Sequence, residues 1–305
     1  MIFRHEYRGG VWVDLEQPNE EEIQSIVEEF SVSKQFEKEI LSPTPSPMVA
    51  ADGDAILLVL HFPAHGAEDG DVGNQEVDFI VGKHFIITIR YEVVASLYHL
   101  KKLLEAQKLI GGKDSLTTDV MLEVLFAHLY TSVRDHTEHV VDNLARVERD
   151  MFDGRERSTI QAISNINREF LHVEATLANQ EEPLARFLKA LAEHGSFGAA
   201  FEERSERILA ERTQAARFIT THRAIAAELR ETNNALLSAR QNEVIKTLTV
   251  VSFVFLPLAL IAKVFAMKVA YMPFVDDPNG FWIIIGIMFA VALLLTLFVS
   301  KKRWI

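Results

Sequence analysis

Residues 199–256 contain neither glycine nor proline, and the run passes from a charged, polar stretch straight into an apolar one. No residue in that interval withholds a helical hydrogen bond or favours a turn. The pattern predicts one helix from near Phe201 through the apolar end, roughly 90–100 Å long at 1.5 Å per residue. A rod of that length cannot bury its own faces, so it needs partner helices or further copies of itself. Its apolar end, 247–262, carries no charge, and it extends to Met267 if Lys263 snorkels or faces water. A second uncharged run occupies 281–299, and about 20 apolar residues cross a bilayer as a helix. Between the two lies "VAYMPFVDDPNG", rich in turn formers. A two-span membrane anchor is expected, a buried core hairpin being the alternative. "SKKRWI" then places a basic cluster and a tryptophan just past the second run, which by the positive-inside bias predicts a cytoplasmic tail. Both termini would lie inside, with Asp276 and Asp277 on the outer loop.

Charge is distributed unevenly around this anchor. Residues 244–305 hold six Lys/Arg and two acids, leaving 25 of 31 basic and 41 of 43 acidic residues in the first 243, a net of −16 (25 − 41). Such a field repels nucleic acid and draws in cations, although acidity also serves plain solubility. The absence of cysteine excludes disulfides, thiolate metal sites and redox motifs. "MIFRHEYRGG" lacks the charged-then-apolar pattern of a signal peptide, so the N-terminus is expected in the cytoplasm.

Upstream of the rod, the apolar residues of "LTTDVMLEVLFAHLYTSVRDHTEHVVDNLARVERDMF" recur every three or four positions, which predicts a long helix. Asp153-Gly154 ends it, and "HGSFG" (194–198) ends the next. The first 110 residues read differently. "GGVWVDL", "AILLVLHF" and "EVDFIVGKHFIITIR" are strand-like, whereas "NEEEIQSIVEEF" and "VVASLYHLKKLLEAQ" have helical period. Asn19 is placed to cap the first helix, with Glu22 as its capping-box partner. The expected organisation is an α/β domain (1–115), a long-helix stalk (116–243), a first span (244–267), an outer loop (268–280), a second span (281–300) and a basic tail (301–305).

In this order the stretches resemble the CorA superfamily of divalent-cation channels, over most of the chain. "VWVDLEQPNEEEI" resembles the family's opening Trp-x-Asp and Pro-x-x-Glu pattern, "FIVGKHFIITIR" its last funnel strands, and Pro183 a proline common in its stalk. The strongest match is "NEVIKTLTVVSFVFLPLALIA", followed by "YMP" and a terminal Lys/Arg-Trp tail. The resemblance implies a funnel-shaped homopentamer in the inner (plasma) membrane, with two spans per subunit. It implies no enzymatic activity and no covalently bound cofactor. A divalent cation is the implied cargo or regulator, Mg²⁺ foremost, with Co²⁺, Ni²⁺ or Zn²⁺ as alternatives. The family's signature is Gly-Met-Asn directly after the first span; the aligned triplet here is Ala266-Met267-Lys268. A family glycine three residues earlier is replaced by Lys263, and the acid of a Met-Pro-Glu loop by Phe274, with Asp276 and Asp277 nearby as stand-ins. The zinc-transporting branch keeps the Gly and Asn, so it fits no better.

If the rod lines a fivefold pore, helical spacing from Asn242 runs through Ile245, Leu248, Ser252, Leu256, Ala259 and Lys263, and the matching family positions line the pore. Asn242 would supply a ring of amide oxygens for a hydrated ion. Leu248 and Leu256 would form collars that gate by dewetting, or else pack against neighbouring helices. Pro257 would remove one hydrogen bond and loosen the helix locally. Lysine offers three donors and no acceptor, while Mg²⁺ gives up its water reluctantly. Five lysines about 10 Å from a divalent ion oppose it by ~4–17 kcal/mol between bulk water and an effective dielectric of 20. Even the lower figure cuts occupancy about a thousandfold. Deprotonation, outward splay or pairing with Asp276 and Asp277 would relieve that barrier.

Other candidates are weaker. His136 and His139 share a helix face with no third metal ligand in the nearby sequence. "EDGDVGNQE" (68–76) lacks calcium-loop spacing and reads as a hairpin connection, and "GGKDS" (111–115) lacks the upstream glycine of a phosphate loop. Family members bind regulatory divalent ions between cytoplasmic domains, and Glu202, Glu203 and Glu206 at the start of the rod are the candidates here. Three functions are thus in view: a divalent-cation channel with an altered mouth, a pore-degenerate relative serving as sensor, scaffold or anion path, and a proton-coupled zinc transporter.

Overall fold

The computed structural model describes residues 2–64, 73–109, 116–195, 197–267 and 279–301. In chain order these form β1 (Ile2–Tyr7), β2 (Gly10–Glu16), α1 (Glu20–Glu29), α2 (Lys34–Glu39), β3 (Met48–Asp52), β4 (Ala55–Pro63), β5 (Asn74–Gly82), β6 (Phe85–Arg90), α3 (Ala95–Leu109), α4 (Thr118–Phe152), α5 (Glu156–Glu193), α6 (Ala200–Phe265) and α7 (Gly280–Lys301). They divide into two compact units, Met1–Arg230 and Glu231–Ile305, and α6 contributes to both.

The first unit is built on a six-stranded sheet of order β1-β2-β6-β5-β4-β3. Among the described strands only β2 and β6 pair in parallel, with Asp14 opposite Thr88. Alternation along the strands gives the sheet two apolar faces. On one, Val13, Leu15, Leu57, Val59, Ile80, Ile87 and Ile89 pack with Ile23, Ile26 and Val27 of α1 and Phe36 of α2. Asn19 caps α1 as the spacing predicts: its side chain accepts from the Glu22 amide at 2.8 Å while Glu22 reaches back to the Asn19 amide. On the other face Phe79 stacks on Phe126 of α4, with centroids 5.0 Å apart, and Phe62 leans on Tyr130. The sheet, α4, α5 and the part of α6 up to Arg230 therefore belong to one compact unit.

The Trp-x-Asp motif closes the parallel pair. Trp12 Nε1 donates to Thr88 Oγ1 at 3.0 Å, Thr88 donates to Asp14 at 2.8 Å, and Arg90 grips both Asp14 oxygens at 3.2 and 2.9 Å. All four residues are fully buried. Beside them Gly10 approaches the β5–β6 turn so closely that a Cβ would lie 2.0 Å from the His84 carbonyl oxygen.

Asp153-Gly154 terminates α4, and α5 ends at His194-Gly195, within the predicted 194–198 break. The rod is one helix of 66 residues, about 100 Å at 1.5 Å per residue, and it continues through Pro257, as α5 does through Pro183. Three short elements, β1, α2 and β3, were not anticipated by the sequence pattern.

Candidate pore helix and associated sites

The second unit consists of the lower part of α6 and α7. Among the described residues these are the two helices long and apolar enough to cross a membrane, and their apolar windows are 0% and 6% buried. A soluble core helix of such composition would be covered; here the apolar surface faces outward and requires lipid or further copies.

Partial burial shows how the two helices meet. On α6 the half-covered positions are Val250, Val254, Pro257, Leu258, Ile261 and Phe265, with Ser252 off this line; on α7 they are Ile284, Met288, Val291, Ala292 and Leu295, with Val299 fully buried. Both sets recur at three- and four-residue spacing, each a single stripe. Phe253 and Phe298 stack alongside, with centroids 6.3 Å apart.

The predicted pore stripe lies elsewhere on α6. At 100° per residue, Ile245, Leu248, Ser252, Leu256, Ala259 and Lys263 centre roughly 170° from the stripe that meets α7. Ile245, Leu248 and Leu256 are 60–69% exposed, Asn242, Ala259 and Lys263 are exposed, and Ser252 is half-covered. Lys263 stands in the last turn of α6, where unpaired carbonyls favour a cation. The helix then tightens: Ala266 N donates to Ala262 O and Met267 N to Val264 O, at 3.1 and 3.2 Å. Ala266 and Met267 are exposed. Lys268, Phe274, Asp276, Asp277 and the 302–305 tail fall outside the described residues, as do residues 111–115 and most of the 68–76 stretch.

At the start of α6 the three candidate glutamates do not form one group. Glu202 and Glu206 border a pocket of about 520 Å³ with Lys189, Glu193 and Phe197, between α5 and α6. Glu203 instead pairs with Arg207 at 2.9 Å. Sequence reading missed the ion-pair network beside them. Arg204 bridges Asp119 and Glu123 of α4 at 2.7 and 2.9 Å, and Arg207 reaches Glu123 at 2.6 Å. The Arg207 and Arg204 hydrogen bonds hold the Glu123 carboxyl below its usual range against the opposing effect of burial. His136 lies 3.2 Å from Glu169 of α5, a contact no local spacing reveals, while His139 is exposed. Among the described residues no group of three or more His, Asp or Glu is arranged to hold a metal.

Comparison with known proteins adds four findings. Residues 7–303 match the model of a family described as "CorA-like Mg2+ transporter protein". The chain is 18% identical over 303 residues to the cobalt/magnesium transport protein CorA of Methanocaldococcus jannaschii, covering 97% of this chain and 91% of that one. It is 21% identical over 286 residues to the cobalt/magnesium transport protein CorA of Thermotoga maritima, covering 93% and 80%. Among solved structures, the complete CorA magnesium transporter of M. jannaschii superposes with a TM-score of 0.83 at 17% identity, over 97% of this chain and 92% of that one.

Proposed function

Since the chain belongs to the CorA-like Mg²⁺ transporter family, we propose that it is a membrane channel for divalent cations, Mg²⁺ or Co²⁺ foremost. In this reading α6 and α7 span the bilayer, both termini are cytoplasmic, and five copies surround a conduit walled by α6. The observation that carries it is the exposed stripe from Ile245 to Lys263, set on the face of α6 turned away from α7. A helix that buries one side against its hairpin partner and leaves another side uncovered suits a shared lumen. Leu248 and Leu256 would be its apolar collars and Asn242 the polar ring below them. Ala266-Met267-Lys268 would border the mouth, with Asp276 and Asp277 on the outer loop to balance the lysines. Glu202 and Glu206, with Glu203 set apart, are the regulatory candidates on the cytoplasmic side.

The test is uptake of Mg²⁺, Co²⁺, Ni²⁺ and Zn²⁺ into liposomes holding the purified full chain under an inside-negative potential. Flux of at least one cation is expected; no flux of any, beside a working relative with Gly-Met-Asn, overturns the reading. Lys263, exposed on the stripe, favours a second reading in that event: a pore-degenerate member that keeps the family's architecture and rejects cations. Uptake that follows an imposed pH gradient with Zn²⁺ alone would instead assign proton-coupled zinc transport.

A further inference from the structure

A buried acidic cluster stands apart from the pore helix, on the face of the sheet that carries α1 and α2. Glu76 and Asp78 lie two residues apart on β5, so both side chains project to that face; Glu76 is 7% exposed and Asp78 0%. The Glu76 carboxylate accepts the Thr44 amide at 3.0 and 2.8 Å, and His61 of β4, its cross-strand partner, stands 3.2 Å away. Those ties hold it as an acceptor. Asp78 has no such set. Its Oδ1 is buried without a hydrogen-bond partner, and its carboxyl lies within hydrogen-bonding reach of Glu76. Just past β6, the Tyr91 hydroxyl sits 3.0 Å from Asp78 Oδ2 and 2.9 Å from the Ile40 carbonyl. A phenol has one hydrogen, and two acceptors face it.

One additional hydrogen removes the Asp78 charge beside Glu76 and can be donated to either of two neighbours. Placed on Asp78 and donated to the Tyr91 oxygen, it frees the phenol hydrogen for Ile40. Donated to Glu76, it converts a buried like-charge contact into a hydrogen bond. We propose that Asp78 carries a resident proton at neutral pH, shared with Glu76 and Tyr91, and that this proton fastens residues 41–47 to the sheet. The segment, "LSPTPSP", has three prolines and few amides of its own to spend. Its ties are the Thr44 amide and hydroxyl on Glu76, the Thr44 carbonyl 3.0 Å from His61 Nε2, and the Ile40 carbonyl at its entrance. Burial first, then the Glu76 charge, hold the Asp78 carboxyl well above its usual range, and burial with the Asp78 charge raises Tyr91 in turn. The titratable groups facing the site are therefore Glu76 on β5, His61 on β4 and Tyr91 after β6; the C-cap of α2 contributes the Ile40 carbonyl. With the folded value raised, the contribution is fully present below the ordinary aspartate range and is lost as pH rises through the raised value.

The full-length chain in detergent provides the test. Hydrogen exchange of a peptide covering 41–48, corrected for intrinsic base catalysis, should accelerate about tenfold or more between neutral and alkaline pH. Asp78→Asn, which brings its own donor hydrogens, should abolish that acceleration. A wild-type segment whose corrected exchange does not change, or an Asp78→Asn profile identical to wild type, overturns the proposal. Infrared spectra of the unmodified chain give a check independent of whether the variant folds. A protonated-carboxyl band present at neutral pH and lost at alkaline pH supports the assignment, and its absence at neutral pH refutes it.

Discussion

Asp14 and Arg90 are both 0% exposed and pair at 2.9 Å, and Arg90 also reaches Glu16. Removing Asp14 takes two hydrogen bonds from a fully buried guanidinium and leaves it the contact with Glu16. Asp14→Ala should therefore cost about 3–5 kcal/mol, read as a fall in the chemical-denaturation midpoint, while Asp14→Asn, which keeps an oxygen for Thr88, should cost less. Lys263 presents the opposite case, an exposed charge with no need of burial and a decisive place. It lies on the stripe assigned to the lumen, in the last turn of α6. A ring of such lysines opposes a divalent ion by several kcal/mol, about 4 at the least. Lys263→Gly combined with Lys268→Asn should then raise Mg²⁺ flux in liposomes by at least about tenfold. A parent that already conducts Mg²⁺ freely, with a double variant no faster, would show that neither lysine faces the ion.

α6 is tied to α4 by Arg204 and Arg207 converging on Glu123, whose side chain is 24% exposed. Its lowered carboxyl value sets the sign: the contribution is present above the ordinary carboxylate range and lost as pH falls through the lowered value. Glu123→Gln should cost about 1–2 kcal/mol at neutral pH and flatten the acid limb of the stability profile, measured by thermal unfolding across pH. Much at this scale was legible in the sequence. The Asn19 cap, the Asp153-Gly154 stop and the glycine-free rod are local signals with local causes. β1 and β3 were not, because "IFRHEY" and "MVAAD" take their strand character from the neighbours they pair with rather than from an apolar run. The Glu76–Asp78–Tyr91 cluster depends on sheet register and on where α2 ends, so no spacing encodes it. An aspartate inside the otherwise apolar "VDFIV" was the one available hint. The Glu123 network likewise joins residues 81 and 84 positions apart. The α6 stripe was readable because helical period fixes it, whereas the covering of its other faces by α7 required the fold.

For the whole molecule, the uncovered apolar surface of α6 and α7 predicts assembly. Native mass spectrometry of the detergent-released chain should give a pentamer; a monomer that stays folded would remove the shared lumen on which the transport reading rests. The parallel pairing of β2 with β6 carries a further consequence for how the protein is made. Seventy-odd residues separate the partners, so the sheet cannot close until Arg90 has been synthesised. The first apolar segment begins only near residue 247. At 5–20 residues per second the intervening elongation lasts roughly 8–30 s. The nascent chain thus has time to complete its sheet before the translocation machinery receives a hydrophobic segment. Variants that slow strand closure should then show their defect as failed insertion of an otherwise unaltered hairpin.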